Sequence, residues 1–113
     1  MSNWRELSEF RAMWSLVMFD LPVKTPTERK SYQRFRQALL NKGFVAMQYS
    51  IYMRFCHDAE SLETHVKFVR SILPPKGEVR VMGVTDKQFK RCQVFVGCQP
   101  LPAETAPKQL EFF

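Results

Sequence analysis

Trp14-Ser15-Leu16-Val17-Met18-Phe19-Asp20-Leu21-Pro22 holds four consecutive apolar residues, Leu16 to Phe19. Such a run predicts a β-strand buried on both faces. Pro22 ends it, because proline has no N–H to give to a ladder. Asp20 stands out. A carboxylate has no reason to close an apolar strand unless it is exposed at the strand's end or serves a site there. Ligands and catalytic groups gather at the C-terminal ends of strands in α/β sheets. An exposed strand-end Asp, or one that caps the next turn, is the plainer alternative.

Downstream, Thr25 as N-cap, Pro26 at the first helical position and Glu28 three residues on predict a helix start. The helix should run to about Lys42 and stop at Gly43. Tyr32, Phe35 and Leu39 give its buried face, with Leu40 at the edge. Arg29 and Arg36, seven apart, share one flank of that stripe. With Lys24, Lys30, Arg34 and Lys42 they form a basic surface, either a solvated helix face or a phosphate-binding one.

Phe44 to Cys56 is β-branched and aromatic, hence strand-like, but too long for one average strand. The break is placed at Gln48-Tyr49-Ser50, as a bend or bulge or as an ordinary tight hairpin. Tyr52 and Arg54 share a face of the second strand, opposite Met53 and Phe55. They would present an aromatic and a cation together to nucleic acid, or Arg54 simply pairs on the sheet. Asp58 caps a second helix that ends before Pro74-Pro75, with a stripe of Leu62, Val66, Val69 and Leu73 and His65 beside it. Val79 to Val84 is a fourth strand, Thr85 to Gln88 a capped helical turn, and Gln93 to Gly97 a brief fifth strand.

The order β-α-β-β-α-β is the ferredoxin-like plan, an α+β sandwich with two helices on one face of an antiparallel sheet. The other face stays open. Trp14, Met18, Tyr52, Val79 and Val81 cannot all enter one core, so part of that open face is apolar and invites a two-fold homodimer. Residues 1–13 read as an N-terminal extension, 14–97 as the nucleic-acid-binding domain, and 98–113 as a Pro-rich tail. In the extension, Asn3 and Glu6 would cap a helical turn carrying Trp4, Leu7 and Phe10. The tail ends in Gln109-Leu110-Glu111-Phe112-Phe113, which suits a partner-binding peptide, with Leu110, Phe112 and Phe113 as anchors. A chain end that stays unordered is the alternative.

The 113 residues suffice for a single core, and a formal net charge of +6 favours a polyanionic partner such as nucleic acid. No apolar run approaches the ~18 residues of a membrane span. Cys56, Cys92 and Cys98 are odd in number and match neither CxxC nor a finger; with His57 and His65 they give no zinc spacing. Free thiols in a reducing cytoplasm are expected. There is no Walker loop, GxGxxG, GxSxG or HExxH. Metal-dependent phosphodiester cleavage usually needs two or more carboxylates for Mg²⁺. Asp20 is the one plausibly sited acid, so a two-fold axis beside it would have to supply the pair; Glu78 is placed in a loop.

Leu16-Val-Met-Phe-Asp-Leu-Pro22, Tyr32-Gln-Arg-Phe-Arg36 with Gly43-Phe44, Met47-Gln-Tyr-Ser-Ile-Tyr-Met-Arg54 and Glu78-Val-Arg-Val81 together closely resemble the CRISPR-associated Cas-two family, in the form that accompanies Cas-nine type systems. The resemblance covers about Ser15 to Gly97. It implies a ferredoxin-like two-fold dimer in which each C-terminal strand often joins the partner's sheet. It also implies a place in spacer acquisition, where the dimer bridges two dimers of the Cas-one integrase and holds the prespacer duplex. Many members are described as Mg²⁺-dependent endoribonucleases or endodeoxyribonucleases with the metal between paired strand-end aspartates; that position is Asp20. Phe19 stands where many members have Tyr, Tyr52 where many have Phe, and Ala46 where some have Arg.

Two functions follow. The favoured one is a basic scaffold that binds duplex DNA through Lys24, Arg29, Arg36 and Arg54 and recruits the integrase through its tail. The alternative is a nuclease in which paired Asp20 residues hold Mg²⁺ as metal ligands and catalytic groups. A general RNA-recognition module lacks its aromatic signature on the central strands.

Overall fold

The computed structural model describes residues 12–97 and 99–101. The predicted helical turn around Trp4 and Leu7 and the anchors Leu110, Phe112 and Phe113 lie outside the described residues. The elements run β1 (Met13–Asp20), α1 (Pro26–Asn41), β2 (Val45–Gln48), β3 (Ile51–Cys56), α2 (Ala59–Ser71), β4 (Glu78–Thr85), α3 (Asp86–Phe89), β5 (Val94–Val96) and β6 (Gln99–Leu101). The main sheet has the order β2-β3-β1-β4 with every neighbouring pair antiparallel. The fold is α+β and ferredoxin-like, with β1 central.

Local chemistry sets the helix ends. Thr25 accepts from the Glu28 N–H, and Glu28 reaches back to the Thr25 N–H, closing the capping box. Gly43, at φ +95, ends α1. Asp58 accepts from the Ser61 N–H to start α2. Thr85 and Gln88 form a second capping box for α3.

The core lies between the helices and one sheet face, where Val17, Phe19, Phe35, Leu39, Phe44, Tyr52 and Val69 are buried together. β1 alternates: Ser15, Val17 and Phe19 are buried, while Leu16 and Met18 are half-buried and Asp20 is exposed. The expectation of burial on both faces is thus corrected, since helices cover one face only. On α2 the inward row is Leu62, His65, Val69 and Ile72, and Leu73 is exposed. His65 therefore belongs to the packed row rather than beside it. Its ring meets Phe44 edge-on at 5.9 Å, and its Nδ1 lies 2.7 Å from the Ser61 carbonyl.

The opposite face carries Trp14, Leu16, Met18, Met53, Phe55 and Met82, as the cross-strand pairing dictates. Phe55 (43% exposed) and Met82 (48%) lie open on it. At one end Trp14 packs on Phe55 and on Phe89 of α3, and its indole N–H donates to Asp86 at 2.9 Å. β5 does not extend the main sheet. It pairs with β6 in a separate antiparallel ribbon, so the chain read as a linker at Gln99 to Leu101 is a strand. Among the described residues no helix is long and apolar enough to cross a membrane.

Candidate functional site

Asp20 ends β1 on the face that the helices leave open. Its cross-strand partner on β4 is Glu78. Directly paired residues project on the same side, about 5 Å apart at Cα. Two carboxylates therefore stand side by side at the sheet's end, and Glu78 is no loop residue. The sequence does carry a signal for this. Glu78-Val79-Arg80-Val81 alternates with period two, so burying the valines turns Glu78 and Arg80 to the other face. Arg80 lies 3.4 Å from Glu78, which offsets the repulsion of like charges set opposite each other.

The loop around Asp20 is held from two sides. Gly77 (φ +99) presses against it from the α2–β4 connection; a Cβ there would sit 2.8 Å from the Asp20 carbonyl oxygen and 2.6 Å from a Leu21 methyl. On the other side Arg29 donates to the carbonyls of Val23 and Lys24, both at 3.0 Å. Glu28 accepts from the N–H groups of Lys24 and Thr25, and Lys76 approaches it at 3.9 Å. The Thr25 N–H above all, then that of Lys24 and the charge of Lys76, holds the Glu28 carboxyl below its usual range.

The β2–β3 turn completes this end of the sheet. Ser50 adopts φ +71, and its carbonyl accepts from the Phe19 N–H at 3.0 Å. The pairing shifts register between Ala46 and Gln48, a bulge of the kind the polar break implied. Burial first, then the nearby Tyr49 hydroxyl, raises the pKa of Tyr32 on α1.

The predicted basic residues fall into different surroundings. Lys24 lies in the loop after Asp20, and Arg29 in the first turn of α1 reaches back to that loop's carbonyls. Arg36 is half-buried on α1, near the exposed Arg34, and neither makes an ion pair among the described residues. Arg54 lies across from Ser15, five residues back along β1 from Asp20, and so on the order of 17 Å away along the strand. It is on the helix side, where its Nε is buried without a partner and a Gly43 Cβ would come within 3.2 Å of it. Tyr52 packs on Phe19 in the core, so Tyr52 and Arg54 share a face that is closed to stacking.

The residue pattern of β1 and its turn is that of a known family. Residues 13–92 match the family model described as CRISPR associated protein Cas2. The chain belongs to this family. A relative from Parvibaculum lavamentivorans, named CRISPR-associated endoribonuclease Cas2, is 48% identical over 101 residues, covering 89% of this chain and all of that protein. One of the same name from Flavobacterium psychrophilum is 43% identical, covering 98% of this chain and 96% of the other. A third, from Paracidovorax avenae, is 44% identical over 95% and 99%. The family thus spans the sheet, both long helices and the Asp20 end together.

The donor set at that end suits a hard cation, since Asp20 and Glu78 offer carboxylate oxygens. Among the described residues no group of three or more His, Cys, Asp or Glu converges on one point. One chain therefore supplies two carboxylates to this spot.

Proposed function

We propose that the protein is a metal-dependent endoribonuclease of the Cas2 family, acting in the cytoplasm as a two-fold homodimer. The observation that carries this is Asp20, exposed on the open sheet face and paired across the ladder with Glu78. The relatives' shared name supports the choice of RNA as substrate. In this reading Asp20 and Glu78 hold Mg²⁺, and a second copy's pair supplies the remaining protein ligands. The metal, when bound, activates water and offsets phosphate charge. Arg80 keeps Glu78 in place, while Gly77 and Arg29 hold the loop that carries Asp20. The apolar open face, with Val45, Phe55 and Met82 exposed, supports dimerisation. The test is cleavage of labelled RNA with and without Mg²⁺ by wild type and Asp20→Asn, with duplex DNA as a second substrate. Loss of Mg²⁺-dependent RNA cleavage in the variant is expected; equal cleavage by both proteins refutes the mechanism.

A second reading is supported by the charge of +6 and by the exposed Lys30 and Arg34 of α1. In it the dimer binds prespacer duplex DNA and the Cas-one integrase as a scaffold for spacer acquisition. Integration that persists with Asp20→Asn in the reconstituted complex would favour this role, since phosphate contacts need no metal.

A further inference from the structure

Tyr49 is the most exposed large hydrophobic side chain among the described residues, at 84%. Nothing in the packing of the core calls for an aromatic ring there. Yet the backbone that carries the ring is constrained. The turn has two central residues, Tyr49 and Ser50, and Ser50 takes a left-handed φ of +71 without being glycine or asparagine. Positive φ at the second central position alone is the mark of a type II turn, which ordinary hairpins avoid. The adjoining bulge and the Phe19-to-Ser50 hydrogen bond lock this turn to β1. Strain kept at an exposed turn that presents an aromatic ring to water points to function rather than stability.

The location says which function. Phe19 faces Ser50 across the ladder, so Tyr49 comes level with Asp20 on the neighbouring strand. We propose that Tyr49 is a stacking platform for an unpaired base of single-stranded RNA, which sets the backbone of that strand against Asp20. A π-face accepts any base, so the contact gives affinity and placement without sequence preference. Duplex bases hide their faces, so the platform selects single-stranded over double-stranded substrate. The inference rests on the endoribonuclease reading above and deepens it by naming how the substrate is held.

The experiment uses the full chain, a short single-stranded RNA bearing 2-aminopurine, and the matching duplex, with Mg²⁺ left out so that no cleavage intervenes. Tyr49→Ala should bind the single strand at least about fivefold more weakly and lose the fluorescence quenching that stacking produces. Tyr49→Phe should retain both. The salt dependence should keep its slope, because no phosphate contact is removed. Sedimentation of each variant reports the oligomeric state. Binding and quenching unchanged in Tyr49→Ala overturn the inference. So does a loss that tracks dissociation of the dimer, which would make the ring an interface contact. Wild-type binding to duplex alone overturns it while a nucleic-acid role survives; binding to neither strand form removes both.

Discussion

Gly77→Ala tests whether the α2–β4 connection holds Asp20 in place. Gly77 sits at φ +99, and an added Cβ would meet a Leu21 methyl at 2.6 Å, the Asp20 carbonyl oxygen at 2.8 Å and the Leu21 Cα at 3.0 Å. Two of these three atoms are backbone and cannot rotate away. The left-handed conformation costs an alanine roughly 1–2 kcal/mol. Forcing a methyl into a packed contact costs roughly 1–3 kcal/mol more. The stiffer unfolded chain returns roughly 0.4–1 kcal/mol. The net loss is about 3 kcal/mol, which for a domain of this size lowers Tm by roughly 12–24 °C. Gly97→Ala is the control. It has a positive φ of +57 but nothing within 4 Å of the added methyl, so it should lose only about 1 kcal/mol. Urea unfolding of the two variants makes the comparison. A Gly77→Ala protein no less stable than Gly97→Ala would refute the steric argument. Because the contact is with the backbone of Asp20 itself, Mg²⁺-dependent RNA cleavage should also fall further in Gly77→Ala than in the control.

Two more outcomes are expected. Burial, first among the causes, holds the His65 pKa below its ordinary 6.5, with Arg54, Lys42 and His57 adding repulsion against the pull of the Ser61 carbonyl. The folded state thus takes up a proton less readily than the unfolded one, so stability is full above about pH 6.5 and falls as pH drops from there toward the depressed folded value. His65→Gln should flatten that slope in pH-dependent urea titrations, and an unchanged slope would assign it to other groups. Arg29 and Arg36, alike in sequence, should part company: Arg29→Ala loses two charge-assisted bonds to backbone carbonyls and about 1–3 kcal/mol of stability, measured by thermal unfolding. Arg36→Ala should leave stability within about 0.5 kcal/mol and reduce the salt slope of duplex-DNA binding by about 0.9, the share of one phosphate contact. Equal stability losses in the two would show that the hydrogen bonds of Arg29 do not matter.

Much of the fold is legible residue by residue. α1 begins and ends where Thr25, Pro26, Glu28 and Gly43 put it, because caps and left-handed stops act within a turn of chain. The break in the long β segment falls at Tyr49-Ser50 as expected, although without glycine or asparagine it rests on a strained serine. β6 was hidden by Pro100, which reads as linker; at the edge of a two-stranded ribbon its missing N–H is tolerated. Asp20 was visible as a misfit in an apolar run. Glu78 was not, because its value lies in the residue across the ladder, and no local pattern states which strands are neighbours.

Sequence alone determined the elements other than β6, the alternation along the strands, the basic charge and Asp20 as the residue out of keeping with its surroundings. These depend on spacing and on side-chain chemistry within a few residues. The tertiary structure decided which face each alternation meets. It sent Tyr52 into the core, took Arg54 to the helix side far from Asp20, and engaged Arg29 with backbone carbonyls. It also set Glu78 beside Asp20 and brought Tyr49 level with it. Strand order and register bring together residues far apart in the chain, 58 positions in the case of Asp20 and Glu78, and only the folded chain specifies them.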